Sequence, residues 1–255
     1  MKILYWNCTS PGLETRDIFK TAKIDFIGAV VRAHKPDLVC LDEMSCNIAS
    51  QLELNDYGRY VLSDQFAEYV YWGAIENPGA HLNQCLWIKV GVKCKPCQFG
   101  VPHGEWLSEQ TKRDLLYVAW REGEYDVRIW FLHANASYNG RVAAILACKR
   151  VKESRDLFIG DFNCGIDEFD YGVRPDVGEC GFTQWNKEEG RGERIPNSVY
   201  WYTPNPHGII DFAIGNEKLL TIEAINTVNT ENKDQVKTFL LNFDHFPIVY
   251  NVSPK

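Results

Sequence analysis

The sequence has no long apolar run and no room for a leader at its start. Nowhere do about 18 uncharged apolar residues follow one another, the length that a transmembrane helix needs. The chain begins Met-Lys-Ile-Leu-Tyr-Trp and reaches Asn7 at once, which leaves no apolar core for a signal peptide. If this is the native start, we expect a cytoplasmic protein that spans no membrane.

An even, closely spaced set of cysteines is also missing. The 9 cysteines are an odd number spread along 255 residues, whereas disulfide frameworks are typical of short secreted chains. Cys94-Lys-Pro-Cys97 has the spacing of a redox or zinc pair, but no second Cys/His pair lies at a matching distance. We therefore predict reduced thiols throughout, with Cys94 and Cys97 neither catalytic nor metal-bound.

Basic residues are in the minority. The chain has 27 Lys and Arg against 34 Asp and Glu, a net charge of −7. Nucleic-acid-binding proteins usually carry a basic surface, so this balance counts mildly against tight, non-specific binding of DNA. A bound metal ion or a local arginine patch can reverse the sign of the charge inside one cleft, so a DNA substrate is not excluded.

The apolar pattern predicts one α/β domain over residues 1–255. Residues 1–6 and 38–41 read as strands on either side of a helix over residues 15–34, which Lys35-Pro36 ends. Runs rich in β-branched and aromatic residues predict further strands at 69–75, 84–92, 115–121, 128–133, 156–159, 209–214 and 247–252, with a short helix over 142–151. Such β-α-β units mixed with antiparallel runs favour two packed mixed sheets with helices outside them.

Residues 170–209 are rich in glycine, proline and charge. A segment of this kind and length is uncommon in a compact domain unless it is functional or mobile, so we expect a long active-site loop or a surface excursion. Its aromatic residues and arginines could stack on bases and contact phosphates, or they could pack beneath the loop.

Short polar groups end several of the apolar runs. A buried carboxylate, amide or imidazole is costly unless it pairs or binds a metal. Several such groups in one chain, rich in oxygen and including two histidines, indicate a single site for a hard cation and acid–base chemistry. The residues are Asn7, Glu43, His133, Asp161, Asn163, Asp211, Asp244 and His245.

Two of these groups have a spacing with a chemical meaning. Asp161 and Asn163, in Gly-Asp-Phe-Asn, are two positions apart, so an extended chain presents both on one side, where they can hold a water and a substrate oxygen. Asp-x-Asn also occurs in turns. Asp244-His245 places a carboxylate beside an imidazole, which suits general base catalysis, although a surface turn would look the same.

In order and spacing, these residues resemble the motifs of the endonuclease/exonuclease/phosphatase superfamily. That superfamily includes DNase I, abasic-site endonucleases, neutral sphingomyelinases and inositol polyphosphate phosphatases. The resemblance runs from Asn7 to Pro247, and Gly-Asp-Phe-Asn, Ile-Asp-Phe and Asp-His-Phe-Pro are most similar to DNase I and to the catalytic B subunit of cytolethal distending toxins. It implies a four-layer α/β sandwich and a metal-dependent phosphoesterase.

The resemblance also implies how metal and substrate are held. Glu43, with Asn7 close by, would bind Mg²⁺ or Mn²⁺, and Asn7 would also contact the substrate. Arg113 would contact a phosphate. Asp161 and Asn163 would position the attacking water and a phosphate oxygen.

Two histidines are the implied acid–base residues. His133 and His245 would flank the scissile phosphate. Asp211 and Asp244 would orient or polarise them.

The chain departs from the superfamily pattern near Glu43. The usual Gln-Glu is Asp42-Glu43 here, and Asp42 could alter cation binding or could point into the opposite layer. Asn83 stands where DNase I has a glutamate that orients its first histidine, and Met44-Ser45-Cys46 lacks an arginine that contacts DNA. These departures bear on the class of substrate.

Three functions follow as hypotheses. The leading one is a monomeric, Mg²⁺-dependent endonuclease that hydrolyses phosphodiester bonds of DNA. The second is a phosphomonoesterase of phosphoinositides or another small phosphorylated molecule, which the acidic charge favours. The third is a binding module that has lost catalysis, which the full set of catalytic residue types disfavours.

Overall fold

The structure is a computed structural model that describes residues 1–8, 17–44, 69–75, 83–99, 115–133, 147, 150–151, 153–163, 183–184, 211–227 and 245–255. The chain divides into two compact units, one of residues 1–92 and 225–250 and the other of residues 93–224 and 251–255. Among the described helices, none combines the length and the apolar character needed to span a membrane.

The described elements are a long helix and a series of strands. The helix is α1 (Asp17–His34), and the strands are β1 (Lys2–Asn7), β2 (Leu38–Met44), β3 (Tyr69–Ile75), β4 (Asn83–Lys89), β5 (Cys94–Phe99), β6 (Leu115–Glu122), β7 (Tyr125–His133), β8 (Asp156–Asp161), β9 (Thr183–Gln184), β10 (Asp211–Gly215), β11 (Leu220–Asn226) and β12 (Ile248–Pro254).

The first sheet is built around the parallel pair β1 and β2. Its strand order is β11-β12-β1-β2-β4-β3. Helix α1 makes the crossover between β1 and β2, which parallel strands require. Ile24, Ile27 and Val31 recur at helical spacing and are buried.

The end of α1 has a clear local cause. Lys35 adopts a left-handed backbone (φ 47) and donates its N–H to the carbonyl of Val31 at 2.7 Å. This is a common way to satisfy a last-turn carbonyl, and the following Pro36 cannot continue a helix.

The second sheet has the strand order β5-β6-β7-β8-β10-β9. Strands β7 and β8 are parallel, and β10 runs antiparallel to β8. All of β8 is buried, and the rings of Trp130 in β7 and Phe158 in β8 stack at 5.7 Å. The apolar runs of β7 and β8 are therefore core strands, and the polar residues at their ends are brought into a buried position.

A buried ion pair anchors the start of β8. Asp156 accepts hydrogen bonds from Nε (2.7 Å) and Nη2 (3.2 Å) of Arg128, and from Nε of Arg150 at 2.9 Å. The guanidinium of Arg150 also lies 5.9 Å from the centre of the Trp130 ring. Bidentate, charge-assisted contacts of this kind compensate the burial of the Asp156 carboxylate.

Candidate functional site

Three polar residues form a row across neighbouring strands of the second sheet. His133 ends β7 and pairs in register with Asp161, which ends β8. Asp161 in turn pairs with Asp211, which begins the antiparallel strand β10. The exposed fractions of the three residues are only 4%, 2% and 2%. The row lies at the end of β8 opposite to Asp156.

The two carboxylates of this row are close together. An oxygen of Asp161 lies within 4.8 Å of an oxygen of Asp211. Nε2 of His133 is 4.0 Å from Oδ2 of Asp161, beyond hydrogen-bonding distance but within range of a charge interaction. Two nearby buried carboxylates repel each other when both are ionised, so a shared proton, a positively charged neighbour or a hard cation bound by the carboxylate oxygens would stabilise the pair.

Gly160 sets the register of the row. A Cβ atom built on Gly160 would overlap the carbonyl oxygen of Leu132 on the neighbouring strand. Only glycine allows this close approach of backbones. Since Leu132 precedes His133 and Gly160 precedes Asp161, the contact brings the two functional residues opposite each other.

The chain turns immediately after β8. Asn163 has a left-handed backbone (φ 49), and its N–H donates to Oδ1 of Asp161 at 2.8 Å, which is an Asx-type turn. Phe162 and Phe212, the residues that follow the two aspartates, stack with their ring centres 4.3 Å apart and are fully buried. The turn therefore holds Oδ1 of Asp161 in place, and the stacked rings provide an apolar surface directly beside Asp161 and Asp211.

In the first unit, Asn7 and Glu43 lie at the ends of neighbouring parallel strands. Asn7 is buried and pairs in register with Asp42, the residue before Glu43. Between Leu41 and Met44, β2 advances three residues while β4 advances two, which is a β-bulge. Within the bulge Glu43 is half-buried and left-handed, with φ 54.

The side chain of Asp42, whose role the sequence left open, is hydrogen-bonded to residues of neighbouring strands and to the backbone of Glu43. Asp42 is fully buried, and its Oδ2 atom accepts hydrogen bonds from Tyr5 Oη at 3.0 Å and Gln84 Nε2 at 3.3 Å. Oδ1 accepts the backbone N–H of Glu43 at 3.0 Å. Sequence reasoning did not identify Tyr5 or Gln84 as supporting residues, because each is a single polar group in an ordinary strand pattern.

His245 belongs to the first unit and is held through its backbone. The residue is 8% exposed, and its carbonyl accepts a hydrogen bond from Nε1 of Trp6 at 2.8 Å. The Trp6 ring packs edge-on against Phe26 of α1, with ring centres 5.4 Å apart. His245 thus lies beside the end of β1, where its partner Trp6 directly precedes Asn7.

Some predicted residues lie outside the described part of the chain. They are Asp244, Arg113, the side chain of Asn83, and all of residues 170–209 except 183–184.

The cysteines whose side chains the structure describes are thiols. Cys8, Cys40 and Cys85 are buried, and Cys94 is half-buried in β5. Burial raises the pKa of the Cys40 thiol well above its ordinary value, and the negative charge of Asp42 adds to the shift. Such a thiol is a poor nucleophile, and its environment agrees with a packing role.

Several solved structures share the fold over nearly the whole chain. TDP2 of D. rerio, solved with a single-strand DNA product, has 13% identity and a TM-score of 0.59, covering 99% of this chain and 98% of that one. The human nocturnin catalytic domain, solved with sulfate, has 14% identity and a TM-score of 0.59, covering 100% and 94%. An endonuclease/exonuclease/phosphatase family protein from Leptotrichia buccalis C-1013-b has 17% identity and a TM-score of 0.59, covering 99% of each chain.

Sequence comparison alone finds no relative. No protein-family model matches the chain, and no curated protein matches it. The structural likeness confirms the predicted class, an α/β sandwich of two mixed sheets. The chain therefore has the fold of the endonuclease/exonuclease/phosphatase superfamily.

Proposed function

We propose that the chain is a divalent-metal-dependent phosphoesterase and that its substrate is DNA, which it cleaves as an endonuclease. The observation that carries this proposal is the buried row of His133, Asp161 and Asp211, aligned in register at one end of three strands. Burial of two carboxylates and an imidazole costs stability. Their clustering at one end of three neighbouring strands therefore favours a role in function over a role in folding.

The proposal gives each residue of the row a task. Asp161, with one oxygen occupied by the Asn163 N–H, positions the attacking water together with the Asn163 amide. His133 stabilises the charge that develops on the phosphate and protonates the leaving oxygen, and His245 is the general base that takes the proton of the attacking water. Asp211, and Asp244 beside His245, orient the two imidazoles.

The donor atoms fit a hard cation. Glu43 supplies a half-buried carboxylate and Asn7 an amide, at the ends of adjacent parallel strands, and oxygen donors of this kind suit Mg²⁺ or Mn²⁺. When bound, such a cation stabilises negative charge on the phosphoryl oxygens.

The choice of DNA as substrate has support of two kinds. The motifs around Asp161, Asp211 and His245 resemble those of DNase I and of the toxin B subunit, and TDP2 of D. rerio, which shares the fold, was solved with a single-strand DNA product. Against this, the net charge of −7 and the missing arginine in Met44-Ser45-Cys46 favour a phosphomonoesterase of a small phosphorylated molecule as the second candidate.

A paired assay tests the proposal. Nicking of supercoiled plasmid and phosphate release from phosphoinositides are measured side by side, with Mg²⁺ and with a chelator. We expect nicking that needs Mg²⁺ and that falls at least about 100-fold in His133→Asn, since general acid–base groups contribute rate factors of that size. The matched control is His34→Asn at the end of α1, which should nick like the wild type.

The opposite outcomes are equally informative. Phosphate release without nicking, and without binding of duplex at low salt, would replace the DNA proposal with the second candidate. Inactivity in both assays with Mg²⁺ and Mn²⁺ would leave the binding-module hypothesis.

A further inference from the structure

We propose that Asp42 is a positioning residue that holds the backbone of Glu43 and thereby directs the Glu43 carboxylate. The inference deepens the proposed function, because it rests on Glu43 as the metal ligand. If the inference holds, Asp42 controls the affinity for the metal without being a metal ligand itself.

The backbone at Glu43 needs support. A left-handed conformation is uncommon for a residue other than glycine, asparagine or aspartate, and such a strained residue persists only where the surrounding structure holds it in place. Glu43 adopts it (φ 54) inside a bulge, a feature that re-aims a side chain relative to a regular strand. Without the bulge, the side chains of β2 would alternate regularly between the two faces of the sheet, and Glu43 would point to the face opposite that of Asp42.

Asp42 supplies that support from within the sheet. Oδ1 accepts the N–H of Glu43 itself at 3.0 Å, so the carboxylate is bonded to the residue that is turned. The carbonyl of Asp42 also accepts the N–H of Cys8 at 2.8 Å, which connects the turned segment to the end of β1. The backbone on the N-terminal side of Glu43 is therefore held by both the side chain and the main chain of Asp42.

Neighbouring strands hold the Asp42 carboxylate in place. Oδ2 accepts hydrogen bonds from Tyr5 of β1 at 3.0 Å and from Gln84 of β4 at 3.3 Å. Both carboxylate oxygens of Asp42 therefore accept hydrogen bonds from protein groups. This explains how Asp42 can stand next to the candidate ligand Glu43 without binding the metal itself. Hydrogen bonds to a charged acceptor are stronger than neutral ones, so Asp holds this arrangement more firmly than an amide would.

Binding of Mn²⁺ alone, followed by electron paramagnetic resonance of the free ion, tests the inference without relying on turnover. We expect the wild type to bind Mn²⁺ and Glu43→Gln to lose that binding. Asp42→Asn should keep the same number of sites with a Kd about tenfold higher, the usual effect of removing a group that orients a ligand. Its nicking activity should return at saturating Mn²⁺, which a general loss of structure would not allow.

The chain provides a matched control at the other end of the same strands. Asp37 also accepts a backbone N–H, that of Lys2 at 2.8 Å, but far from Glu43 along β1 and β2. Asp37→Asn should bind Mn²⁺ like the wild type. Tyr5→Phe removes one donor to Asp42 while keeping the ring, and it should raise the Kd about threefold, in line with the loss of one hydrogen bond.

The results separate this inference from the proposed function. Wild-type affinity in Asp42→Asn, combined with lost binding in Glu43→Gln, would overturn the positioning role and keep Glu43 as ligand. Undiminished binding by Glu43→Gln, or none by the wild type, would remove Glu43 from the metal site and the inference with it. If Asp42→Asn does not fold, Tyr5→Phe decides, and an unchanged Kd overturns the inference.

Discussion

At the scale of single residues, Cys40 is a group whose burial has a measurable cost at high pH. Burial is the main cause that raises the pKa of its thiol above the ordinary value of 9.0, and Asp42 is the next. In the unfolded chain this thiol ionises near its ordinary pKa, whereas in the folded chain it keeps its proton. The unfolded state therefore loses a proton first as the pH rises.

This difference predicts a loss of stability in alkali. Above about pH 9 the free energy of unfolding should fall by about 1.4 kcal/mol per pH unit from this group, and below that pH the group should have no effect. Urea unfolding of the wild type and of Cys40→Ala between pH 7 and 10 measures it, and the variant should show a shallower slope. Cys94→Ala, at a half-buried thiol, is the control and should keep the wild-type slope. Equal slopes in wild type and Cys40→Ala would show that Cys40 ionises alike in both states.

Single residues also show how far the sequence could predict the site. Asn7, His133, Asp161 and Asp211 were singled out because each is a polar residue at the end of an apolar run, and the structure shows all four buried. Their part in a site stays a prediction. The role of Asp42 could not be predicted. It depends on a one-residue shift of register and on partners that are 37 and 42 positions away in the sequence.

At the scale of elements, β5, β9 and β11 were not predicted, and each lies at the edge of its sheet. Strand β9 falls within residues 170–209, which were predicted to be a loop. Strand β5 contains Pro96, which a central strand would not tolerate but an edge strand does. Strand β11 did carry a signal, because Leu220, Ile222 and Ala224 are buried in alternation with exposed residues. Of the predicted helix over 142–151, the described residues 147, 150 and 151 are helical.

The pairing of β7 with β8 predicts a strong effect at Gly160. Gly160→Ala would drive a methyl group into the backbone of Leu132, which cannot move without separating the two strands. We expect a loss of about 3 kcal/mol or more in the free energy of unfolding, at the upper end for overpacking. Activity should fall with it, since His133 and Asp161 would leave their register.

Gly215 in β10 is the matched control for this substitution. A Cβ atom there would meet the end of the Ile222 side chain at 2.5 Å, and a side chain can rotate away. Chemical denaturation of both variants should therefore show a smaller loss for Gly215→Ala, about 1 kcal/mol. Similar losses in the two variants would contradict the special role of the Gly160–Leu132 contact.

At the scale of the whole molecule, the fold class was predictable because the motifs are spread in order from Asn7 to Pro247. The same fold appears in proteins with only 13–17% identity, so the fold is shared where overall sequence similarity is low. The single-domain and monomer predictions stay predictions. The substrate could not be deduced, because Arg113 and most of residues 170–209, which would contact it, lie outside the described residues.

The overall charge makes salt dependence a decisive measurement. In a protein with net charge −7, affinity for DNA would depend on local basic residues, and Arg191 and Arg194 are candidates beside Arg113. Arg191→Ala and Arg194→Ala should each lower the salt dependence of duplex binding by about one counterion and leave Mn²⁺ affinity unchanged. Arg121→Ala, at a side chain that is 70% exposed and next to Asp126, is the control and should not alter the slope.

A small phosphorylated substrate would give a different pattern. The same two variants would then raise KM for that molecule, and duplex DNA would show no graded salt slope in any of the proteins.

Strand β8 carries its two aspartates at opposite ends, and this has a consequence for how the protein can evolve. Asp156 ties the start of the strand to two arginines, while Asp161 stands in the row that we assign to chemistry. The anchoring contacts of Asp156 are remote from Asp161 and Asn163, so substitutions at those two positions leave the anchor of the strand in place. Under the proposed function, the residues that act on substrate can therefore change while the strand stays fixed in its sheet.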